Sequence, residues 1–304
     1  VSLQRKKPFV SIVICTYNRA ELLRATLDSL LRLSSLDCSE TIVVDNASTD
    51  TTRSVAEAFI GANAGTIRAR YVGERKQGLS AARNAGIRAA HGDIVAFLDD
   101  DAIPGAAWLR TIADTFAARP DVAAIGGPIR PMFESGRPDW LIKPFEPPYT
   151  IVDLGDGIKP YPPHGHPFGA NMAIRREALE RLPFPESLGR KGNMLLSGEE
   201  TWLFGQLRRQ GRTVLYHPDM EVDHFIPAAR LTEAWIMKRY YYQGVTNGNL
   251  RGKLSAYGLA AAKAAYLLAD SLFARSEGRK LLIACRRENI RGTLDTVRGR
   301  VAGH

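Results

Sequence analysis

In the first 100 residues of this chain, short apolar runs alternate four times with segments of helical period, and few folds accept that order. Residues 9–15 form a near-continuous apolar, β-branched run, as expected of a strand covered on both faces. Asn18 followed three residues later by Glu21 predicts an Asx-type capping box, with Leu23, Leu27, Leu30 and Leu31 recurring behind it at helical spacing. Residues 42–44 read as a second strand ending at Asp45. Residues 46–50 are turn and N-cap chemistry, and Val55, Ala58 and Phe59 continue as a helix stripe. Ile67, Ala69 and Tyr71 alternate like a third strand. Residues 80–90 read as an Ala-rich helix closed near Gly92, and 94–98 as the fourth strand. The order predicts an α/β fold with a doubly wound, mostly parallel, Rossmann-like sheet.

The fourth strand runs straight into Asp99, Asp100 and Asp101. Three adjacent carboxylates repel one another, and hard oxygen ligands at the end of a buried strand suit Mg²⁺ or Mn²⁺. In an open α/β sheet that edge is also where ligands sit. The competing reading is an acidic N-cap before a helix started by Pro104. No glycines follow the first strand; Thr16, Tyr17, Asn18 and Arg19 stand there instead. That disfavours the dinucleotide fingerprint and hydride transfer. Thr16, Asn18, Asp45 and Asn46 are groups that can hydrogen-bond a base and a ribose, or simply cap helices.

Further along, Glu199 and Glu200 open a helix whose apolar stripe is Leu203, Phe204 and Leu207, ended near Gly211. A carboxylate at a helix N-terminus stays ionised, as a base must, although both glutamates can equally serve only the helix dipole. His224 follows an apolar run at 214–216; an isolated histidine is more often structural, although imidazole is an acceptable Mn²⁺ partner. Residues 128–167 hold 10 of the 17 prolines together with Trp140, Phe145, Tyr149 and Tyr161. They fit an aromatic acceptor lining or a proline-stiffened loop over the sheet.

Charge is placed unevenly. Residues 1–227 carry 27 Lys and Arg against 27 Asp and Glu, whereas 228–304 carry 14 against 5, so the formal charge of +9 lies in the last quarter. Such a tail fits a solvated helical face or anionic lipid; no nucleic-acid partner is expected. Ala234, Trp235, Lys238, Tyr241 and Tyr242 have amphipathic spacing, and basic residues beside aromatics fit an interfacial helix, a cap on the catalytic domain or a homodimer contact. The apolar stretch 256–269 is too short to span a bilayer. Cys15, Cys38 and Cys285 lack metal-like spacing and read as reduced thiols of a cytosolic protein, peripheral on the inner face of the plasma membrane if the tail meets lipid.

The segments FVSIVICTYNR (9–19), TIVVDNASTD (41–50), GLSAARNAGI (78–87), IVAFLDDDA (94–102) and SGEETWLFGQL (197–207) together resemble the family 2 glycosyltransferases with the GT-A fold. The resemblance covers roughly residues 8–226. It implies a GT-A catalytic domain over 1–227, with a nucleotide-sugar half at about 8–127 and an acceptor half at about 128–227, followed by a basic helical C-terminal region at 228–304. By similarity, Thr16 and Asp45 contact a uracil-like base, with Tyr17, Asn18, Arg19, Asn46 and Arg83 near the nucleotide and Asn171 near the donor sugar. Asp99 and Asp101 fit the ends of the DxD motif, Asp100 lies near the ribose, and Asp101, Asp99 and His224 hold the Mn²⁺ or Mg²⁺. Where family members often carry Glu-Asp this chain has Glu-Glu, so Glu200 is the expected base, with Glu199 beside it.

The implied reaction is inverting transfer from a nucleoside-diphosphate sugar, UDP-linked, to a hydroxyl of a sugar or lipid-linked acceptor in polysaccharide or glycolipid assembly. The alternatives are a nucleotidyltransferase, for which a glycine-rich basic loop is missing, and a membrane-docked carbohydrate-binding scaffold with an inactive site.

Overall fold

In the computed structural model, residues 8–192, 194–271 and 276–301 are described, with side chains at 268–271 excepted. Contacts divide the chain into two compact units, one made of residues 1–130, 152–187 and 199–224, the other of 131–151, 188–198 and 225–304.

The first unit begins with β1 (Val10–Thr16), α1 (Ala20–Leu30), β2 (Ser39–Asp45), α2 (Thr52–Ala62), β3 (Ala69–Gly73), α3 (Leu79–Ala89) and β4 (Ile94–Asp99). Strands β3, β2, β1 and β4 lie side by side, all parallel, with Cys15 opposite Asp99 and Thr16 opposite Asp45. Val10, Ile12, Val13, Ile14 and the whole of β2 are buried, which is why residues 12–15 and 42–44 read as short apolar runs rather than as alternation. In α1, Leu23, Leu27 and Leu30 pack into the same core, while Leu31 falls past the helix end and is 37% exposed. The third strand starts two residues later than the alternation of Ile67 suggests, since Ile67 is buried ahead of it.

The chain continues through β5 (Ala102–Pro104), α4 (Trp108–Ala118), β6 (Val122–Gly126) and β7 (Ile129–Phe133), then β8 (Lys159–Pro160), β9 (Met172–Arg175), α5 (Arg176–Arg181), α6 (Glu199–Arg209), β10 (Thr213–Tyr216) and β11 (Val222–Ile226). The complete sheet has the order β3-β2-β1-β4-β9-β6-β10-β8, in which β9 runs antiparallel to both β4 and β6. It is therefore an α/β sheet, mostly parallel, with the antiparallel β9 in its middle. The helix expected to start at Pro104 does not. Pro104 ends the edge strand β5, where its missing N–H is harmless, and α4 begins at Trp108. Strand β5 pairs antiparallel with β11, so that His224 lies opposite Ala102.

The second unit holds α7 (Glu233–Asn249), α8 (Lys253–Ser271) and α9 (Glu277–Val297). Its core joins Ile236, Leu281, Leu282 and Cys285 to Leu141, Phe145 and Tyr149, so half of the proline-rich stretch packs with the helical tail. Helices α7 and α9 approach closely because a methyl at Gly244 would overlap the backbone of Asn289, and one at Gly292 the backbone of Tyr241. Among the described residues, no helix is long and apolar enough to cross a membrane.

Candidate active site

The carboxyl ends of β1, β2 and β4 meet at one corner of the first unit. Asp99 ends β4, and Asp100 and Asp101 follow it, both buried. The β5–β11 pairing carries His224 to the same place, with its Nε2 3.2 Å from Asp101 Oδ1. Asp99, Asp101 and His224 each offer a ligand atom, and these atoms lie within 4.8 Å of one another. Two carboxylates and an imidazole form a donor set that suits a divalent first-row ion or Mg²⁺.

The corner is electrostatically loaded. Burial pushes the Asp99 carboxyl up, Asp101 pushes it further, and Arg83 and His224 oppose the rise. For Asp100, burial raises the pKa from 3.8 to about 6, against the pull of Arg19 and with a further push from Asp101. Arg19 supplies the opposing charge inside the corner: its Nη1 donates to Asp100 Oδ1 at 2.6 Å and to Asp101 Oδ2 at 2.7 Å. Thr16, buried at the end of β1, faces the same carboxylate, and its hydroxyl also favours the ionised form of Asp100.

At the end of β2, Asp45 accepts from the Ser48 backbone N–H at 2.9 Å and from the Tyr71 hydroxyl at 2.8 Å. Tyr71, on β3, was not among the expected site residues; only the strand pairing shows that it faces Asp45. Tyr17 stands 40% exposed beyond β1. Asn18 does not form the expected capping box. Its φ of 53° turns it away from α1, and its Oδ1 accepts from the Thr49 backbone N–H at 2.7 Å, tying the loop after β1 to the loop after β2. The cap of α1 is Arg19, without a side-chain hydrogen bond.

Asn46 is also a strut. Its Nδ2 donates to the carbonyls of Glu74 and Lys76, and its Oδ1 accepts from Gly78 N–H at 2.7 Å. Asn171 is fully buried; its Nδ2 donates to the carbonyls of Pro128 and Met220, and its Oδ1 accepts from Trp108 Nε1 at 2.8 Å. Both amides are occupied in holding loops rather than offered to a ligand.

A second charged cluster adjoins α6. Arg83 is buried on α3 with its guanidinium against the rings of Phe184 and Phe97, 5.3 and 5.9 Å from their centroids. It pairs with Glu199 and Glu200 at 3.1 Å each. Burial works against the Arg83 charge, but Glu200, Glu199 and Asp99 outweigh it and raise its pKa further. Rather than lining an open nucleotide pocket, Arg83 is the clamp on which the two glutamates rest. Glu200 Oε1 also accepts from the Gly169 backbone N–H at 2.9 Å. This contact orients one edge of the carboxylate. Glu199 is the more deeply buried of the two, with its side chain 4% exposed against 13% for Glu200.

A mostly parallel sheet with an acidic, histidine-flanked corner and a clamped carboxylate pair defines a GT-A transferase able to hold a divalent metal. The chain belongs to glycosyl transferase family 2, whose model matches residues 11–183, and it is a glycosyltransferase. It is 30% identical over 255 residues to the succinoglycan biosynthesis protein ExoM of Rhizobium meliloti, spanning 82% of this chain and 77% of that one. It is 27% identical over 243 residues to the glucosyl-dolichyl phosphate glucuronosyltransferase of Haloferax volcanii, spanning 77% and 75%. Among solved structures, a mannosyltransferase from Pyrobaculum calidifontis in complex with GDP-Man and Mn²⁺ matches its fold with a TM-score of 0.68 at 21% identity, over 97% of this chain and 89% of the other.

Proposed function

We propose that this protein moves a sugar from a nucleoside-diphosphate donor to an acceptor hydroxyl with inversion at the anomeric carbon. The observation that carries the reading is the cluster of Asp99, Asp101 and His224 at the carboxyl edge of the sheet. A divalent ion held there supplies Lewis-acid stabilisation of the departing diphosphate. The chain's own groups do the rest. Thr16, Tyr17 and Asp45 border the place for the base, with Asp45 oriented by Tyr71 and Ser48. Asp100 is set toward the ribose, and Arg19 toward the diphosphate. Glu200, fixed by Arg83 and Gly169, takes the proton from the attacking hydroxyl, with Glu199 as its buried neighbour. One base on the acceptor side and a leaving group on the other describe a single displacement, which inverts configuration.

UDP is the preferred carrier on the sequence reading. The relatives named above support polysaccharide or lipid-linked glycan assembly, with a sugar or lipid-linked sugar as acceptor. The charge of the last quarter of the chain supports a place for the basic helical unit on the anionic inner face of the plasma membrane. A screen of UDP- and GDP-sugars with Mn²⁺ or Mg²⁺ tests the reading. Asp101→Asn is expected to lose metal-dependent donor binding, whereas Glu200→Gln keeps binding and loses transfer. Unchanged donor affinity in the Asp101 variant counts against the assignment.

A further inference from the structure

Between β8 and β9 the chain passes through residues 161–171 with neither helix nor strand, so no helical or sheet ladder holds that segment in place. Contacts along α6 hold it instead. Thr201, Phe204 and Arg208 are spaced three and four apart and share one side of that helix. Near the end of α6, Arg208 Nη2 donates to the Pro162 carbonyl at 3.0 Å and also to the Gly165 carbonyl. In the middle, the His166 ring stacks on the Phe204 ring, with centroids 5.6 Å apart and 10° between the planes. At the start of α6, His166 Nε2 meets Thr201 Oγ1 at 3.0 Å, and the Gly169 N–H reaches Glu200 Oε1 at 2.9 Å. The segment therefore runs antiparallel to the helix and is fastened at each turn.

The His166 contact has a direction. The Pro167 carbonyl, 2.8 Å from Nδ1, can only accept, so that nitrogen carries a proton. In the neutral ring Nε2 is then the acceptor for the Thr201 hydroxyl. Thr201 directly follows Glu200, and His166 precedes Gly169 by three residues, so this bond and the Gly169–Glu200 bond close a small loop of chain against the helix. Gly169 has little slack within it. A methyl group there would already overlap the Arg83 guanidinium that holds the same carboxylate oxygen.

We propose that His166 is a positioning residue for the transfer reaction: by accepting from Thr201 and stacking on Phe204 it fixes the segment 162–169 along α6 and so keeps the Gly169 N–H on Glu200. The assignment rests on the reading of Glu200 as the base. A carboxylate that must meet an acceptor hydroxyl within hydrogen-bond reach loses rate when its orientation loosens, even if the donor is bound as before. His166 acts through Thr201 and Gly169 and needs no contact with either substrate.

Three single variants of the full chain test it. His166→Phe keeps the stacked ring and removes the bond to Thr201, Thr201→Val removes the same bond from the other side, and His166→Gln restores an acceptor for the hydroxyl. With the donor that turns over in the screen of UDP- and GDP-sugars, the Phe and Val variants are expected to lose about tenfold in kcat, and the Gln variant to recover most of it. Affinity for UDP with Mn²⁺, read by calorimetry, stays unchanged in all three. The double variant His166→Phe, Thr201→Val is no slower than either single one, because both remove one bond. Amide hydrogen exchange at Gly169, followed without any donor, is faster in the Phe and Val variants and normal in the Gln variant. Thr201 is exposed, so its variant keeps the idea testable if His166→Phe misfolds. Unchanged kcat in His166→Phe and Thr201→Val, while Glu200→Gln loses transfer, overturns the positioning role and leaves the base in place. Equal losses in the Gln and Phe variants, or unchanged exchange at Gly169, overturn the route through Thr201. Full transfer by Glu200→Gln overturns the base and this assignment with it.

Discussion

Arg19 Nη1 lies 2.7 Å from Asp101 Oδ2, so a guanidinium occupies ground next to a carboxylate that belongs to the metal-ligand cluster. The same nitrogen reaches Asp100. An immobile positive charge at that distance offsets the mutual repulsion of the carboxylates and opposes the arrival of a cation. Arg19→Gln is therefore expected to tighten Mn²⁺ binding in the absence of nucleotide by about tenfold, or about 1.4 kcal/mol, while weakening binding of a nucleoside diphosphate. Calorimetric titration with Mn²⁺ alone, then with UDP, reads both effects. Weaker Mn²⁺ binding in the variant would show that the guanidinium organises the ligands more than it repels the ion.

The raised pKa of Asp100 gives a pH signature. Its folded value of about 6 stands above the ordinary 3.8, so the stability linked to its protonated form is complete below 3.8 and is lost as pH rises through about 6. Asp100→Asn removes that titration. The variant's stability relative to wild type, without added cation, is expected to improve as pH rises from about 5 to about 7, by thermal denaturation at each pH. A constant difference across that window would mean that Asp100 titrates normally.

The parts that were legible in the sequence are those whose physics is local. Buried parallel strands carry apolar runs, so β1, β2 and β4 announce themselves, and three consecutive aspartates need no tertiary information to look like a cation site. The relationships that build the site are distant. Asn18 was expected to cap its own helix, but Thr49 offers its N–H from 31 residues away. Tyr71 reaches Asp45 only because β3 lies beside β2. Pro104 reads as a helix starter until β11, more than a hundred residues later, arrives to pair with it. Asn46 and Asn171 have the right chemistry for a ligand and spend it on loop carbonyls. Residue type shows what a side chain can bond; long-range pairing decides what it does bond.

The Arg83 clamp is open to two substitutions. Arg83→Met leaves Glu199 and Glu200 buried against an apolar side chain, at an expected cost of about 3–5 kcal/mol in urea denaturation, and adding Glu199→Gln recovers part of it. Gly169→Ala acts on the same contact differently, because a methyl there would overlap the Arg83 guanidinium and crowd Glu200 Oε1 at 2.9 Å. That variant is expected to bind donor nearly normally and to lose more than about tenfold in kcat, about 1.4 kcal/mol in the transition state. A loss confined to donor KM would place Gly169 with the nucleotide rather than with the base.

Far from the metal corner, Glu40 holds the opposite end of the sheet together. One oxygen accepts from Ser11 Oγ at 2.6 Å and from His91 N–H at 2.7 Å, while the other meets Arg70 Nη1 at 2.9 Å. Burial raises its pKa, but the hydrogen bonds from Ser11 and His91 and the charge of Arg70 outweigh it, and the net value falls below the ordinary 4.5. A depressed carboxylate contributes stability above 4.5 and loses it as pH drops through the folded-state value. Glu40→Gln is expected to cost about 2 kcal/mol at neutral pH, since it removes charge-assisted bonds while keeping the shape. In urea denaturation that difference should shrink steadily once the pH is taken below 4.5. A penalty of equal size in acid would mean that the carboxylate's charge plays no part, and that Ser11 and His91 are satisfied as well by a neutral amide.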